Sequence, residues 1–415
     1  MAEAKMIEYH PMNDLKTSSL EYHSRKPAGK LQIKITKPIR SVDDLSLAYT
    51  PGVAEPCLEI SKDVKKAYQY TNKNNLVAVV SNGSAGLGLG DIGALASKPV
   101  MEGKAVLFKH FAGVDAVDIE IDEKNPVKLA NIIEAISPSF GGINLEDIKA
   151  PECFVVEEIL KKKLSIPVFH DDQHGTAVIV SAGLLNALEI VNKKIEEVKV
   201  VMTGAGAAGI AIAKLITALG VKKSNLFMFD SKGLITANRE VNKYKAEFAQ
   251  ETDQSPVCQE TLKGADVFIG VSKANLLTPE MVQSMAKKPI LFAMANPNPE
   301  IAYQVAKAAV PEMIMATGRS DYPNQVNNVL CFPYIFRGAL DSGAKEINED
   351  MKLAAVKAIA KLAHEPATPE VEKIYKTKLK FGPEYILPKP FDKRLKDIVS
   401  RAVSKAAVDS GGTTI

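Results

Sequence analysis

Four acidic residues in two adjacent pairs, Glu146 with Asp147 and Asp171 with Asp172, are where this sequence most plainly holds chemistry. Neighbouring carboxylates repel, so two such pairs at element ends suggest a cation between them. Carboxylate oxygens without a thiolate suit Mg²⁺ or Mn²⁺, hard ions that keep positions open for water or substrate oxygens. Each pair also has a plainer reading. Glu146 and Asp147 open an apolar, helix-spaced run, where acids favour the N-terminus, and Asp171 and Asp172 read as a turn. The second pair, however, follows an apolar strand-like segment, 166–169, and precedes a long apolar helix. Open α/β sheets bind ligands at such a junction.

Two further residues could move protons. Lys104 stands immediately before an apolar run, 105–108, that reads as a strand. In solvent it would be an ordinary flanking lysine; in a cleft beside the carboxylates its pKa would be set by burial against pairing, and it could accept or donate a proton. Tyr49, ahead of Thr50, Pro51 and Gly52, ends a helix-like piece at a turn. It is either a packed ring with its hydroxyl in water or a phenol able to protonate a carbanion or enolate.

The elements that must position these groups alternate between strands and helices, which gives an α/β fold class. Segments 31–35 and 116–121 alternate like strands, 76–80 is an apolar strand, and 127–135 is a helix. The glycine-rich stretch 81–93 reads as a substrate-side loop, since no acid-ended second strand follows it at a nucleotide-binding distance. Strand 198–202 is different: it runs directly into Gly204, Gly206 and Gly209 at the start of a helix. The first glycine allows the tight turn, the second lets the backbone reach a pyrophosphate, and the third lets helix and strand pack closely. A second strand, 225–229, ends at Asp230, 21 residues past Gly209, where an acid binds the adenosine ribose diol. Asp230 would favour a free 2′-hydroxyl, while Ser231 and Lys232 beside it could accommodate a 2′-phosphate, so NAD and NADP both stay open. Later strands at 267–269, 290–293 and 313–316 complete a dinucleotide domain. Asn296 and Asn298 follow one of them, and Asn327 and Asn328 lie in a proline-rich loop. Asparagine is common in turns, yet amides at strand ends beside a nicotinamide could hold a carboxylate.

Composition bounds the rest. With about 150 residues per domain as a prior, 415 residues suggest two or three domains. A net charge of +3 gives no basis for nucleic-acid or membrane binding. No stretch has the form of a signal peptide or of an uninterrupted apolar span of about 20 residues, so a cytoplasmic protein is expected. The four cysteines are scattered without a CxxC spacing, against zinc and against a disulfide framework. The expected division is a substrate domain over 1–164, a Rossmann-type domain over 165–345, and C-terminal helices over 346–415 packing on the latter.

With these stretches in place, the sequence resembles the malic enzymes of the short form, from about Glu21 to Asp341. The segments that carry the resemblance are YTPGVAEPC, GLGLGDIG, GGINLEDIKAPECF, FHDDQHGTA and PNQVNNVLCFP. It implies oxidative decarboxylation of malate to pyruvate and CO2 with NAD or NADP and Mg²⁺ or Mn²⁺, in a homodimer or larger assembly, possibly with exchanged N-terminal segments. Carried over by position, it implies metal ligands at Glu146, Asp147 and Asp172, a catalytic lysine at Lys104 with Asp171 as its carboxylate neighbour, and an acid at Tyr49. Asn296 and Asn328 match positions that contact substrate or nicotinamide. On this reading Lys104, kept neutral by its site, takes the malate hydroxyl proton and Tyr49 later protonates C3. One position departs: Ala85 stands where longer members place a substrate-binding arginine, leaving Ser81, Asn82 and the 82–86 backbone as substitutes. Rival readings are a metal-free amino-acid dehydrogenase, which leaves four acids without a task, and a dinucleotide sensor without turnover.

Overall fold

The computed structural model describes residues 15–86, 90–252 and 257–413. Strands β1 (Leu76–Ser81), β2 (Asp115–Glu120), β3 (Gly142–Leu145) and β4 (Val168–His170) form a parallel sheet in the order β2-β1-β3-β4. Covered on both faces, β3 and β4 are buried throughout and β1 almost so, which is why they read as short continuous apolar runs. Ahead of this sheet lie α1 (Leu15–Ser24), α2 (Val42–Ala48), α3 (Ala54–Lys62) and α4 (Ala67–Tyr70). Helices α5 (Ala94–Leu107), α6 (Pro126–Ile136) and α7 (Glu152–Lys163) connect its strands. Asn125 caps α6 by accepting from the N–H groups of Val127 and Lys128, and three lysines end α7, where cations favour the helix dipole.

Helix α8 (Asp171–Val191) leaves the end of β4 and runs to the second sheet. Its length and hydropathy would suffice to cross a membrane, but 72% of that window is buried inside the fold, so it serves here as a core helix. The second sheet contains β5 (Val200–Thr203), β6 (Leu226–Asp230), β7 (Gly233–Leu234), β8 (Val267–Gly270), β9 (Ile290–Ala293), β10 (Ile314–Thr317) and β11 (Asn324–Gln325). Its order is β11-β10-β9-β8-β5-β6-β7, parallel except for the β6/β7 pair. The chain reverses its winding between β5 and β8, and α9 (Ala207–Ala218) follows β5 there. This is the Rossmann-type arrangement with its switch point at the glycine motif.

Several expectations change. Segment 105–108 is not a strand: Lys104 sits in the last turn of α5, which contains Pro99 and continues as a π-helical turn, Phe108–Ala112. Segment 31–35 forms no strand, and Ile33 and Ile35 are 97% and 73% exposed. Glu146 and Asp147 do not open a helix; they follow the last residue of β3. Because β4 pairs with β3, the first unit extends past 164 to His170. The C-terminal helices pack on other helices. Glu349–Leu362 packs on α8, and Arg394–Asp409 packs on Phe332–Asp341. Phe332 and Phe336 from that last helix meet Phe108 edge-on at 4.8 and 5.3 Å, closing the seam beside the first sheet.

Candidate active site

The loop after β3 and the first turn of α8 after β4 lie side by side, because β3 and β4 are paired in parallel. Both acid pairs therefore arrive at the same sheet edge. Asp147 adopts φ +53, a left-handed conformation that acidic side chains tolerate better than most, and its N–H donates to Asp172 Oδ2 at 2.8 Å. Asn144, two residues before Glu146 and so on the same face, donates from Nδ2 to Glu146 Oε2 at 2.8 Å.

Lys104 reaches this cluster from α5. Its Nζ is 2.5 Å from Asp171 Oδ2 and 2.8 Å from Glu146 Oε1, and it lies 4.1 Å from the centroid of the Phe332 ring. Asp171 is fully buried and the Lys104 side chain is 10% exposed. Asn328 completes the group: its Nδ2 donates to Asp171 Oδ2 at 3.1 Å and its Oδ1 accepts from Thr176 Oγ1. The position of the Asp171 carboxylate depends on Gly175, since a Cβ there would stand 1.8 Å from Asp171 Oδ1.

Electrostatics follow from crowding four carboxylates around one ammonium. Burial works against the charge on Lys104, but Asp171 and Glu146 outweigh it and hold its pKa above the ordinary value. Both carboxylates therefore favour the ammonium form of Lys104 over the neutral amine. Burial, reinforced by the neighbouring Asp172 charge, pushes Asp147 up to about 7. Glu146 is likewise raised by burial, and by Asp172, Asp171 and Asp147, in spite of Lys104.

Among the described residues, no three acidic, histidine or cysteine side chains form a closed metal cage. Glu146 is turned to Lys104 and Asn144, and Asp172 to backbone. The donor set nevertheless fits a hard cation. Asp147 Oδ2, Asp171 Oδ1 and Asn144 Oδ1 are buried without a partner, as are both ring nitrogens of His170, whose Nδ1 lies 3.8 Å from Asp172 Oδ2. Such a group of orphaned atoms is costly unless a ligand or water satisfies it.

Ser81 and Asn82 are buried, and each already makes hydrogen bonds within or next to its own loop. Ser81 Oγ accepts from Gly83 N–H; Asn82 donates to the Glu123 carbonyl and accepts from Ser84. The Ala85 and Gly86 N–H groups are bonded to the Asp147 and Gly90 carbonyls. Asn296 is exposed at the end of β9, beside Gly318. Tyr49 is not brought to the cluster: it ends α2 with 70% of its surface exposed.

Along the second sheet, a cavity of about 800 Å³ is lined by Gly204, Gly206, Asp230, Ser231, Lys232 and Lys245, among others. Gly204 has φ +101, and a Cβ there would meet the Val271 carbonyl at 2.6 Å. A Cβ on Gly209 would lie 1.9 Å from the Gly204 carbonyl, whereas Gly206 faces open space at the start of α9. That space is available to a pyrophosphate. Asp230, however, is already engaged. Its Oδ1 accepts from Arg239 at 2.8 Å and its Oδ2 from Lys245 at 2.9 Å. Burial opposes its charge, but Lys245, Arg239 and the Lys232 N–H hold it down at about 2. Sequence reasoning missed Arg239, Lys245 and Asn144; only the two-residue spacing of Asn144 from Glu146 offered a signal.

Comparison with known proteins identifies the family. Residues 28–131 match the family model described as the malic enzyme N-terminal domain, and 173–380 the malic enzyme NAD binding domain. The chain is 57% identical over 403 residues to an NADP-dependent malic enzyme of Salmonella typhimurium, covering 96% of this chain and 53% of that one. It thus spans about half the length of the first curated relatives it matches. An NADP-dependent malic enzyme of Halomonas elongata is 54% identical, with 96% of this chain and 95% of the relative covered. The crystal structure of a malic enzyme from Pyrococcus horikoshii matches with a TM-score of 0.89 and 45% identity, over 97% of this chain and 93% of that one. From the glycine motif to the carboxylate edge, this chain belongs to the malic enzyme family.

Proposed function

We propose that this chain oxidatively decarboxylates malate to pyruvate and CO2 while reducing NAD(P), with a divalent cation. The observation that carries the reading is the buried Lys104 ammonium held between Asp171 and Glu146, at the edge where both acid pairs meet. Glu146, Asp147 and Asp172 would hold Mg²⁺ or Mn²⁺. When bound, the cation supplies positive charge to substrate oxygens and NAD(P) accepts hydride.

Lys104 is the group within reach of a hydroxyl proton, and it must first lose its own. Glu146 is shared between two tasks: a carboxylate turned to a cation no longer stabilises the ammonium, which lowers the cost of neutral Lys104. Asp171, with Asn328 on the same oxygen, keeps the amine oriented and provides a relay for the proton. Tyr49 protonates C3 of the enolate. Asn296 and the second N–H of the Asn328 amide serve substrate or nicotinamide, and Ser81 and Asn82 stand in for the arginine that Ala85 replaces.

Tyr49 is delivered by a second copy of the chain. From 15 to 76 no described residue is buried, and Leu15, Leu20, Ile33, Ile35, Leu45 and Leu47 are among the exposed apolar side chains. An exposed apolar surface of that extent marks an interface, and a two-fold pair would bury it reciprocally.

Regarding the dinucleotide, the doubly paired Asp230 favours NADP. With its charge cancelled by Arg239 and Lys245, and Lys232 alongside, the ribose end of the cavity tolerates a 2′-phosphate. L-malate should therefore drive metal-dependent cofactor reduction with pyruvate formed, faster with NADP than with NAD. Reduction that persists in chelator, or none with either cofactor, would contradict the reading.

A further inference from the structure

Nothing in α8 itself holds its first turn. His170 supplies no side-chain cap, and the first four N–H groups of a helix lack intrahelical partners. Yet Asp171 and Asp172 must be held to within fractions of an ångström to serve a site. Asp171 is held by Lys104 and Asn328 and Asp172 by the Asp147 N–H, and on its other side the turn is tied to α7. Glu157 of α7 is 6% exposed, and His174 Nε2–H donates to its two oxygens at 2.8 and 3.0 Å. Gln173 Nε2 approaches it at 3.4 Å, and Lys161 Nζ lies at 2.8 Å.

Gln173 and His174 directly follow the second acid pair. Helix α7 in turn begins five residues after Asp147, the end of the first pair. Glu157 therefore links the segment carrying Glu146 and Asp147 to the segment carrying Asp171 and Asp172. A cavity of about 210 Å³ opens beside it, lined by Lys214 and Lys352 among others. Polar bonds, more than close packing, hold the two helices together at this point.

We propose that Glu157 is a positioning residue for the divalent cation: through His174 and Gln173 it holds the first turn of α8 in register with the loop after β3. It touches neither substrate nor cation. The inference rests on the metal-binding reading of Glu146, Asp147 and Asp172, and its test separates the two.

The test is Mn²⁺ affinity, read from the free-ion paramagnetic resonance signal in the absence of substrate, alongside thermal unfolding. Wild type should bind Mn²⁺ and Asp172→Asn should not; if wild type fails to bind, the metal reading itself falls. Glu157→Ala should weaken Mn²⁺ binding by roughly tenfold or more, as loss of supporting bonds around metal ligands does, with NAD(P) affinity unchanged. Glu157→Gln, whose carbonyl still accepts from His174, should recover much of the loss. Should Glu157→Ala not fold, His174→Phe keeps the ring volume and removes the bond, and it should show the same weakening. Wild-type Mn²⁺ affinity in the folded variants, whatever their melting temperature, would overturn the proposal.

Discussion

Lys104 shows how one side chain can be poised by its neighbours. Its ammonium is stabilised by two carboxylates, one of which a cation would also claim, so proton affinity and metal affinity are coupled. Asp147 gives this coupling a pH dependence. Its carboxyl is raised to about 7 in the fold, from an ordinary value near 4. Protons and metal compete for it, so Mn²⁺ affinity should rise about tenfold per pH unit below pH 6, by about fivefold from pH 6 to 7, and level off above. A flat titration profile would count against Asp147 as a ligand. For the metal-free protein the sign is reversed: stability from this group is full below the unfolded pKa and is lost as pH rises through 7. The melting temperature without metal should therefore fall between about pH 4 and 7, and saturating Mn²⁺ should reverse the shift. Gly175 is the other residue on which the geometry turns. Gly175→Ala would push Asp171 off Lys104 by direct collision. Malate oxidation should fall by about a hundredfold, as misplacement of a reacting group by about 1 Å does, while dinucleotide affinity, measured separately, should hold.

At the scale of elements, the sequence was most legible where local chemistry and period agree. Strand, glycines, helix and acid stand in register in the Rossmann-type half, and β5, α9 and β6 form where expected. The first sheet was partly legible, since β1 and β4 are short apolar runs. Lys104 reads as flanking a strand because the run 105–108 is short and apolar. The helix shows only in the wider spacing of the buried Ala94, Ser97, Met101 and Ala105. Likewise, the strand end at Glu146 was mistaken for a helix start because α7 begins soon after. The pairing of Asp230 was not readable at all: Arg239 and Lys245 lie nine and fifteen residues downstream, in and after an irregular loop, and only the fold returns them to the end of β6. This gives a prediction for that element. Lys245→Ala should raise the KM for NADP by roughly tenfold, the worth of one charge-assisted hydrogen bond, and the KM for NAD much less. Equal effects on both cofactors would remove Lys245 from the 2′-phosphate reading.

The whole molecule is where reading one chain reaches its physical limit. Leu45, Leu47 and Tyr49 belong to an N-terminal surface that a single copy leaves in solvent, and in the proposed pair of copies that surface is the interface. On the proposed reading, Tyr49 acts in the site of a second copy, so that Lys104 comes from one chain and Tyr49 from the other. Malate-dependent pyruvate formation by co-expressed Lys104→Ala and Tyr49→Phe chains tests this most directly, each variant alone serving as control. Each homomer should be nearly inactive, whereas a mixed pair contains one intact site, so the mixture should recover about a quarter of wild-type activity from statistical pairing. A mixture no more active than its parts would contradict a site built across two copies, and Lys104→Ala with near-normal turnover would contradict the role of Lys104.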